Sequence, residues 1–491
     1  MSLKRQVGSA VMWVAASVVF TRFLSFLAKL VLARLLIPGD FGMRALANPA
    51  INLLMMFQEL GFTSALIYRQ TEMEEAADTA FWTVVSSSLV LYVVGFFSAP
   101  LVADFFGEPQ LVSVMRVLAL TMLLSSVAQV PVTLLMKDLA FKRKIIPDIA
   151  AGILGNALSI VLAMMGYGVW SLVYGQVAVS LIAAALIWFV TPWRPKFRFS
   201  MVRARELFDY GKHIIGSQAL VFAITNVDNV FVGKFLTTAT LGFYDLAYTV
   251  ANMPATQITR LVNQVMFPTF SKVQDDLERF RRVYFTTLKY VSLLSVPIAV
   301  TTIGFADNFV TQAYGREWSR AILPMQLLGV YGLVRSIAAN MGNVFKAGGK
   351  PKWLTYIALW RLGMMLIFMY PAIKWGGIVG VSLFSAVVSV IDFAVSIVLA
   401  NRIIHASWGK YVRILVPQGI ASVIAVLAGK VVYWETRGLT RALVRLGGAA
   451  VAVVIVYAAI MLAIDPEVRR LVREAWAFVR SFRKRAAAKE D

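Results

Sequence analysis

The chain is 491 residues long, 59% hydrophobic and only 15% charged, with a formal net charge of +22. Soluble domains carry about a quarter charged residues, so this composition excludes a water-soluble globular protein and makes the bilayer the solvent. Cysteine is absent and there are only two histidines, which excludes disulfides, thiolate metal sites and a histidine-rich metal cluster.

Apolar runs of about twenty residues, each long enough to cross a bilayer, recur along the chain. In order they predict fourteen helices over approximately 10–36, 42–66, 80–103, 111–135, 146–165, 168–190, 213–236, 242–268, 285–306, 320–343, 353–373, 377–400, 412–433 and 442–463. The first begins like a signal peptide, but its apolar run continues to about Leu36, which fits an uncleaved helix better. Loops alternate in charge. One side collects Lys4-Arg5, Lys137 to Lys144, Arg194 to Arg205, Lys272 to Arg282, Lys346 to Lys352, and Arg402 with Lys410. The short opposite loops Pro38–Phe41, Asp104–Gln110, Gly166–Gly168 and Thr237–Leu241 are poor in Lys and Arg. This is the positive-inside pattern rather than a nucleic-acid footprint, and it expects both termini in the cytoplasm. Two loops fit badly: Arg69–Asp78 is acidic where a basic loop is expected, and Trp434–Arg441 carries Arg437 and Arg441 on the opposite side.

The chain repeats itself. Leu36, Gly42, Leu46 and Ala47 recur 200 positions later as Leu236, Gly242, Leu246 and Ala247, and Asn52 recurs as Asn252. Phe141-Lys142 with Pro147 is answered by Phe345-Lys346 with Pro351. Two copies of a six-helix unit insert with the same orientation, so a pseudo-two-fold axis along the membrane normal is expected, with a central cleft. The predicted architecture is all-α and polytopic. It comprises a six-helix lobe over 1–200, a second over 201–405, two extra helices over 406–465, and a basic amphipathic cytoplasmic tail over 466–491.

No cofactor or nucleotide is expected. Gly349-Lys350 is followed by Pro351, and Val344 stands where a phosphate-binding loop needs its first glycine. No outer loop is long enough for a catalytic domain, so the chain reads as a carrier rather than an enzyme. Ionisable residues inside spans cost about 2.5–3.5 kcal/mol each at mid-bilayer and normally face a protein interior or a wet cavity. Arg22, Lys29, Arg260 and Arg335 outnumber the acids at similar depth, so they suit an anionic guest, and guanidinium forks suit phosphate. Arg44, Asn48, Asn52, Asn252, Asn263 and Gln264 form polar stripes on the second and eighth helices, suited to sugar hydroxyls. Asp228, Asp245, Arg361 and Asp392 are read either as internal ion pairs or as sites coupling transport to an ion gradient.

The segment Asn226-Val-Asp228-Asn-Val-Phe-Val-Gly233-Lys234, with Leu241-Gly242-Phe-Tyr244, Asn252-Met-Pro254 and Val265-Met-Phe267-Pro268, resembles the polysaccharide transporter (Wzx-type O-antigen or exopolysaccharide flippase) family. That family lies within the multidrug/oligosaccharidyl-lipid/polysaccharide exporter superfamily. Thr21-Arg22-Phe-Leu-Ser-Phe is similar to the first helix of the related lipid II flippases. The resemblance implies a bacterial inner-membrane flippase that moves an undecaprenyl-pyrophosphate-linked glycan to the outer leaflet by alternating access. Arg22 and Arg260 then sit where the pyrophosphate is met. Implied partners are that glycan lipid, bilayer lipids and other glycan-assembly membrane proteins, with no nucleic acid and no nucleotide. The alternatives are a lipid II flippase of peptidoglycan synthesis and a multidrug exporter.

Overall fold

A computed structural model describes residues 21, 24–58, 62–68, 72–138, 140–256, 270, 273, 276–438, 442–470 and 473. In hydrocarbon every backbone N–H and C=O must be satisfied within the segment, and apolar runs of this length do so as α-helices. The described elements are α1 (24–35), α2 (Pro38–Gln58), α3 (Phe62–Tyr68), α4 (Met73–Phe106), α5 (Gln110–Lys137), α6 (Phe141–Met164), α7 (Val169–Val190), α8 (Met201–Phe235) and α9 (Thr238–Ala251). They continue with α10 (Leu277–Phe309), α11 (Ile322–Ala347), α12 (Lys352–Ile404), α13 (Trp408–Glu435) and α14 (Ala442–Ile464). No strand occurs among the described residues.

Nine helices among the described residues are long and apolar enough to cross a membrane, and the chain is a multi-pass membrane protein. The longest, α12, breaks at Gly376 and Gly377, where Gly377 adopts φ +55°, a conformation that favours glycine. Two predicted helices, 353–373 and 377–400, therefore meet end to end there. Helices α2 and α8 are not among the nine, because their polar residues, including Arg44, Asn48, Asn52 and Gln58 on α2, lower their hydropathy. The polar loops also set helix ends. Ser200 accepts from the N–H of Arg203 at 3.4 Å to start α8, and Asp276 accepts from that of Arg279 at 3.0 Å to start α10.

The chain divides into two compact units, Met1–Leu246 with Ala358–Phe384, and Ala247–Ile357 with Ser385–Asp491. In the first, a core of Phe62, Leu66, Phe81, Val84 and Val130 is flanked by Trp82, Trp188 and Trp193. In the second, Phe270, Phe280, Tyr284, Phe345 and Tyr411 pack edge to face or tilted over Leu288 and Ile397. Helix α13 turns the small residues Ala421, Ala425 and Gly429 inward and Val416, Ile420, Val423 and Val431 outward. Small residues let membrane helices approach closely where no hydrophobic force separates protein from lipid, and a Cβ on Gly429 would press on Val453 of α14.

Both misfitting loops find a physical reason. The acidic residues before and within the first turns of α4 hold the basic strap 192–206: Asp78 Oδ1 accepts from the Lys196 N–H at 3.1 Å, Glu74 pairs with Lys196 Nζ at 3.0 Å, and Arg203 pairs with Glu72. Trp82 donates to the Lys196 carbonyl at 2.9 Å and stacks on Phe197 at 4.8 Å. The acid is there to neutralise the strap. At the other loop, the Arg437 guanidinium lies 3.5 Å from the ring centroid of Trp434, an interfacial aromatic that stabilises the cation. The amphipathic tail expected over 466–491 falls mostly outside the described residues. Its start is anchored: Val468 packs with Ala421 and Met461, and Asp465 and Glu467 both pair with Lys289 at 2.6 Å.

Candidate functional site

In the first unit the two repeat motifs meet. A Cβ on Gly42 would overlap the carbonyl oxygen of Thr238, and a Cβ on Gly242 would overlap that of Pro38. The contact is reciprocal, as a two-fold joint requires, and it explains why glycine stands at both repeat positions. Around this seam Leu46 packs on Gly233, Lys234 donates to the Phe105 carbonyl, and Thr238 donates to Glu108. Asp40 caps the turn by accepting from the N–H of Ile37 at 3.2 Å. Burial raises its carboxyl above the ordinary value, against the backbone hydrogen bonds from Ile37 and Val169.

The charges beside the seam are unequal in the two copies. Position 244 is Tyr, and its hydroxyl donates to Oδ2 of buried Asp228 at 2.8 Å, while the Asn229 N–H donates to Oδ1 at 2.9 Å. The repeat counterpart of Asp228 is Ala28, so Arg44, the counterpart of Tyr244, has no carboxylate there. Arg44 instead feels the charge of Asp245, and its Nε is buried without a hydrogen-bond partner. Asn48 is half-buried and Asn52 exposed on α2. Lys29 on α1 and Arg361 on α12 are half-buried and belong to this unit.

The same unit holds a cavity of about 380 Å³ that the sequence reading missed, lined by Gln58, Thr63, Ser125, Gln129, Thr133 and Ser180 among others. None of its lining residues is charged. Gln58 donates to the Met122 carbonyl at 3.2 Å and its Oε1 is left without a partner, while Gln129 donates to Thr63 at 2.9 Å. The available signal was Ser125, Gln129 and Thr133 at spacing four, one face of α5.

In the second unit, Arg335 on α11 donates from Nη1 to the hydroxyls of Tyr248 and Tyr331, both at 3.2 Å. A Cβ on Gly332 would overlap the Ala251 carbonyl, so α11 lies against the backbone of 251–252 and carries Tyr331 to within 6.0 Å of the Tyr248 ring. No carboxylate pairs with Arg335 among the described residues; its hydrogen-bond partners are the two tyrosine hydroxyls. Buried Asn252 and Asn340 stand nearby in sequence to these tyrosines and Arg335, each with one amide atom lacking a partner. Asp392 is 3% exposed and belongs to this unit. Arg22, Arg260, Asn263 and Gln264 lie outside the described residues. Sequence reasoning found Arg335 but missed its tyrosines, because aromatic residues in a span read first as core.

The comparisons with known proteins agree with this fold. Teichuronic acid biosynthesis protein TuaB of Bacillus subtilis is 26% identical over 376 residues, covering 75% of this chain and 77% of the relative. Succinoglycan biosynthesis transport protein ExoT of Rhizobium meliloti is 26% identical over 325 residues, covering 66% of this chain and 65% of ExoT. The solved structure of the lipid II flippase MurJ, in an inward closed conformation, matches with a TM-score of 0.71 at 13% identity, over 94% of this chain and 100% of MurJ, a likeness of fold. A family model described as "Polysaccharide biosynthesis protein" matches residues 31–323, and this chain belongs to that family.

Proposed function

We propose that the chain flips an undecaprenyl-pyrophosphate-linked oligosaccharide from the inner to the outer leaflet of the bacterial cytoplasmic membrane by alternating access, with both termini cytoplasmic. The observation that carries this reading is the reciprocal joint of Pro38–Gly42 with Thr238–Gly242. Both turns belong to loops poor in Lys and Arg, which supports reading the joint as lying at the outer surface. A close joint between the two repeats, made by backbone at two glycines with the Lys234 and Thr238 hydrogen bonds beside it, is a seam of few side-chain contacts that can part.

Arg335, which has no carboxylate partner among the described residues, is assigned to the pyrophosphate, and Arg22, Lys29 and Arg260 are assigned to the same group. Arg44, Asn48, Asn52, Asn252, Asn263 and Gln264 are assigned to the sugars, and the uncharged cavity at Gln58 and Gln129 joins them. The hydrogen bonds that Asp228 accepts from Tyr244 and Asn229 favour internal pairing over ion coupling at that residue. An inside-negative potential would then drive the anionic head outward by about 2.3 kcal/mol per charge per 100 mV. The test is a deletion strain. Lipid-linked oligosaccharide is expected to accumulate on the cytoplasmic leaflet while its synthesis continues; unchanged amount and sidedness of that lipid would reject the function.

A further inference from the structure

A second cavity, of about 750 Å³ and lined by charged residues, lies entirely in the second unit between α10, α13 and the end of α14. Its lining carries five cations and three acids. One cation is spoken for: Lys289 is held by Asp465 and Glu467, both at 2.6 Å. Burial, the largest single influence, works to raise the Asp465 carboxyl, but the hydrogen bond and charge of Lys289 together with the backbone N–H groups of Glu467 and Val468 hold it below the ordinary value. The other four cations make no ion pair among the described residues, although Glu278 shares the lining. Arg281 donates from Nε to the Ile404 carbonyl at 2.7 Å, and the Lys410 ammonium stands 5.5 Å from the Phe285 ring centroid. Arg282 and Arg413 are exposed and make no ion pair among the described residues.

The wall holds one further group. Gln418 is 1% exposed, and its Nε2 donates to the Lys289 carbonyl at 3.3 Å, yet its Oε1 has no donor. A buried amide oxygen without a donor is costly to the fold, and a bound hydroxyl would satisfy it. Met461 and Ile464 line the same cavity, and Val412, Val416 and Ile420 run outward along α13 as an exposed apolar stripe. Cations, an unmet acceptor and an apolar exit together describe the headgroup of an anionic lipid.

We infer that this cavity binds the headgroup of an inner-leaflet anionic lipid, Arg282, Lys410 and Arg413 meeting its phosphate and Gln418 its adjacent hydroxyl. The site is separate from Arg335 and from the seam residues. Its placement at the inner leaflet rests on the topology of the proposed function, but its ligand chemistry does not. Phosphatidylglycerol and a polyprenyl pyrophosphate both present a phosphate on an apolar tail, and only the former adds a glycerol hydroxyl for Gln418.

Native mass spectrometry of the purified full chain tests this with three probes: phosphatidylglycerol, phosphatidylcholine and undecaprenyl pyrophosphate. The expected result is at least tenfold tighter retention of phosphatidylglycerol than of phosphatidylcholine. That preference is expected to vanish in Arg282→Ala/Arg413→Ala, whose side chains are exposed, and to weaken in Gln418→Leu. Retention of undecaprenyl pyrophosphate alone, sensitive to the arginine pair, would keep the phosphate site and assign it to the glycan lipid. Equal retention of all three, or a preference that survives the arginine pair, overturns the site. Flipping is not read in this experiment, so failure of the site and failure of the transport function are separable.

Discussion

Replacing Arg335 with alanine is expected to slow flipping at least tenfold while leaving the protein as stable as before, or more so. The two effects diverge because of what surrounds the guanidinium. It sits inside a membrane helix with two neutral tyrosine hydroxyls at 3.2 Å and no carboxylate partner among the described residues. Such a cation costs the fold about 2.5–3.5 kcal/mol at mid-bilayer, so its removal relieves the empty protein. A charge-assisted hydrogen bond to a phosphate is worth about 1.5–3 kcal/mol, which corresponds to roughly ten- to hundredfold in binding. Arg335→Lys keeps the charge but loses the planar fork, and an intermediate rate is expected. Thermal unfolding in detergent and initial flipping rate are the paired measurements. A purely structural arginine would show the reverse: a lower melting temperature with an unchanged rate per folded molecule.

Gly242→Leu is expected to hold the seam open. No side chain fits there, because even a Cβ overlaps the Pro38 carbonyl, and Gly42 is bound in the same way by Thr238. Overpacking of this kind costs about 1–3 kcal/mol, and each 1.4 kcal/mol shifts a two-state equilibrium tenfold. The absence of native cysteine makes the shift readable. Leu46, 2% exposed and packed on Gly233, becomes the reporter as Leu46→Cys. Labelling by a membrane-impermeant thiol reagent from outside is expected to rise about tenfold in the Gly242→Leu background, with flipping lost. Gly363→Ala, where a Cβ meets nothing, is the control and is expected to change neither. A fixed structural contact would instead lower protein abundance without changing the labelling.

Much of the fold was legible because the bilayer leaves few choices. Apolar runs of spanning length can only be helices there, and nine of the described helices are long and apolar enough to span. The repeat was legible as well, and the structure gives its reason in the Gly42–Gly242 joint. Pairings were harder to read. The sequence places Asp228 inside a helix, but only geometry brings the Tyr244 hydroxyl to it. Arg69–Asp78 looked like a topological misfit because loop charge was counted loop by loop; Asp78 and Glu74 answer Lys196, more than a hundred residues away. The cavity at Gln58 was hidden for a similar reason. Ser and Thr barely lower hydropathy, and the convergence of Gln58, Thr63, Ser125, Gln129, Thr133 and Ser180 from α2, α3, α5 and α7 is a property of packing.

The central claim, that this chain moves a lipid-linked glycan between leaflets, is tested most directly in proteoliposomes. Undecaprenyl-pyrophosphate-linked oligosaccharide from the native strain is placed in the outer leaflet, and its loss of accessibility to an added glycan-cleaving enzyme is followed under an imposed potential. Protected lipid is predicted to appear with the wild-type chain, to reverse direction with the sign of the potential, and to be at least tenfold slower with Arg335→Ala. Equal rates in protein-free, wild-type and Arg335→Ala liposomes would contradict the account.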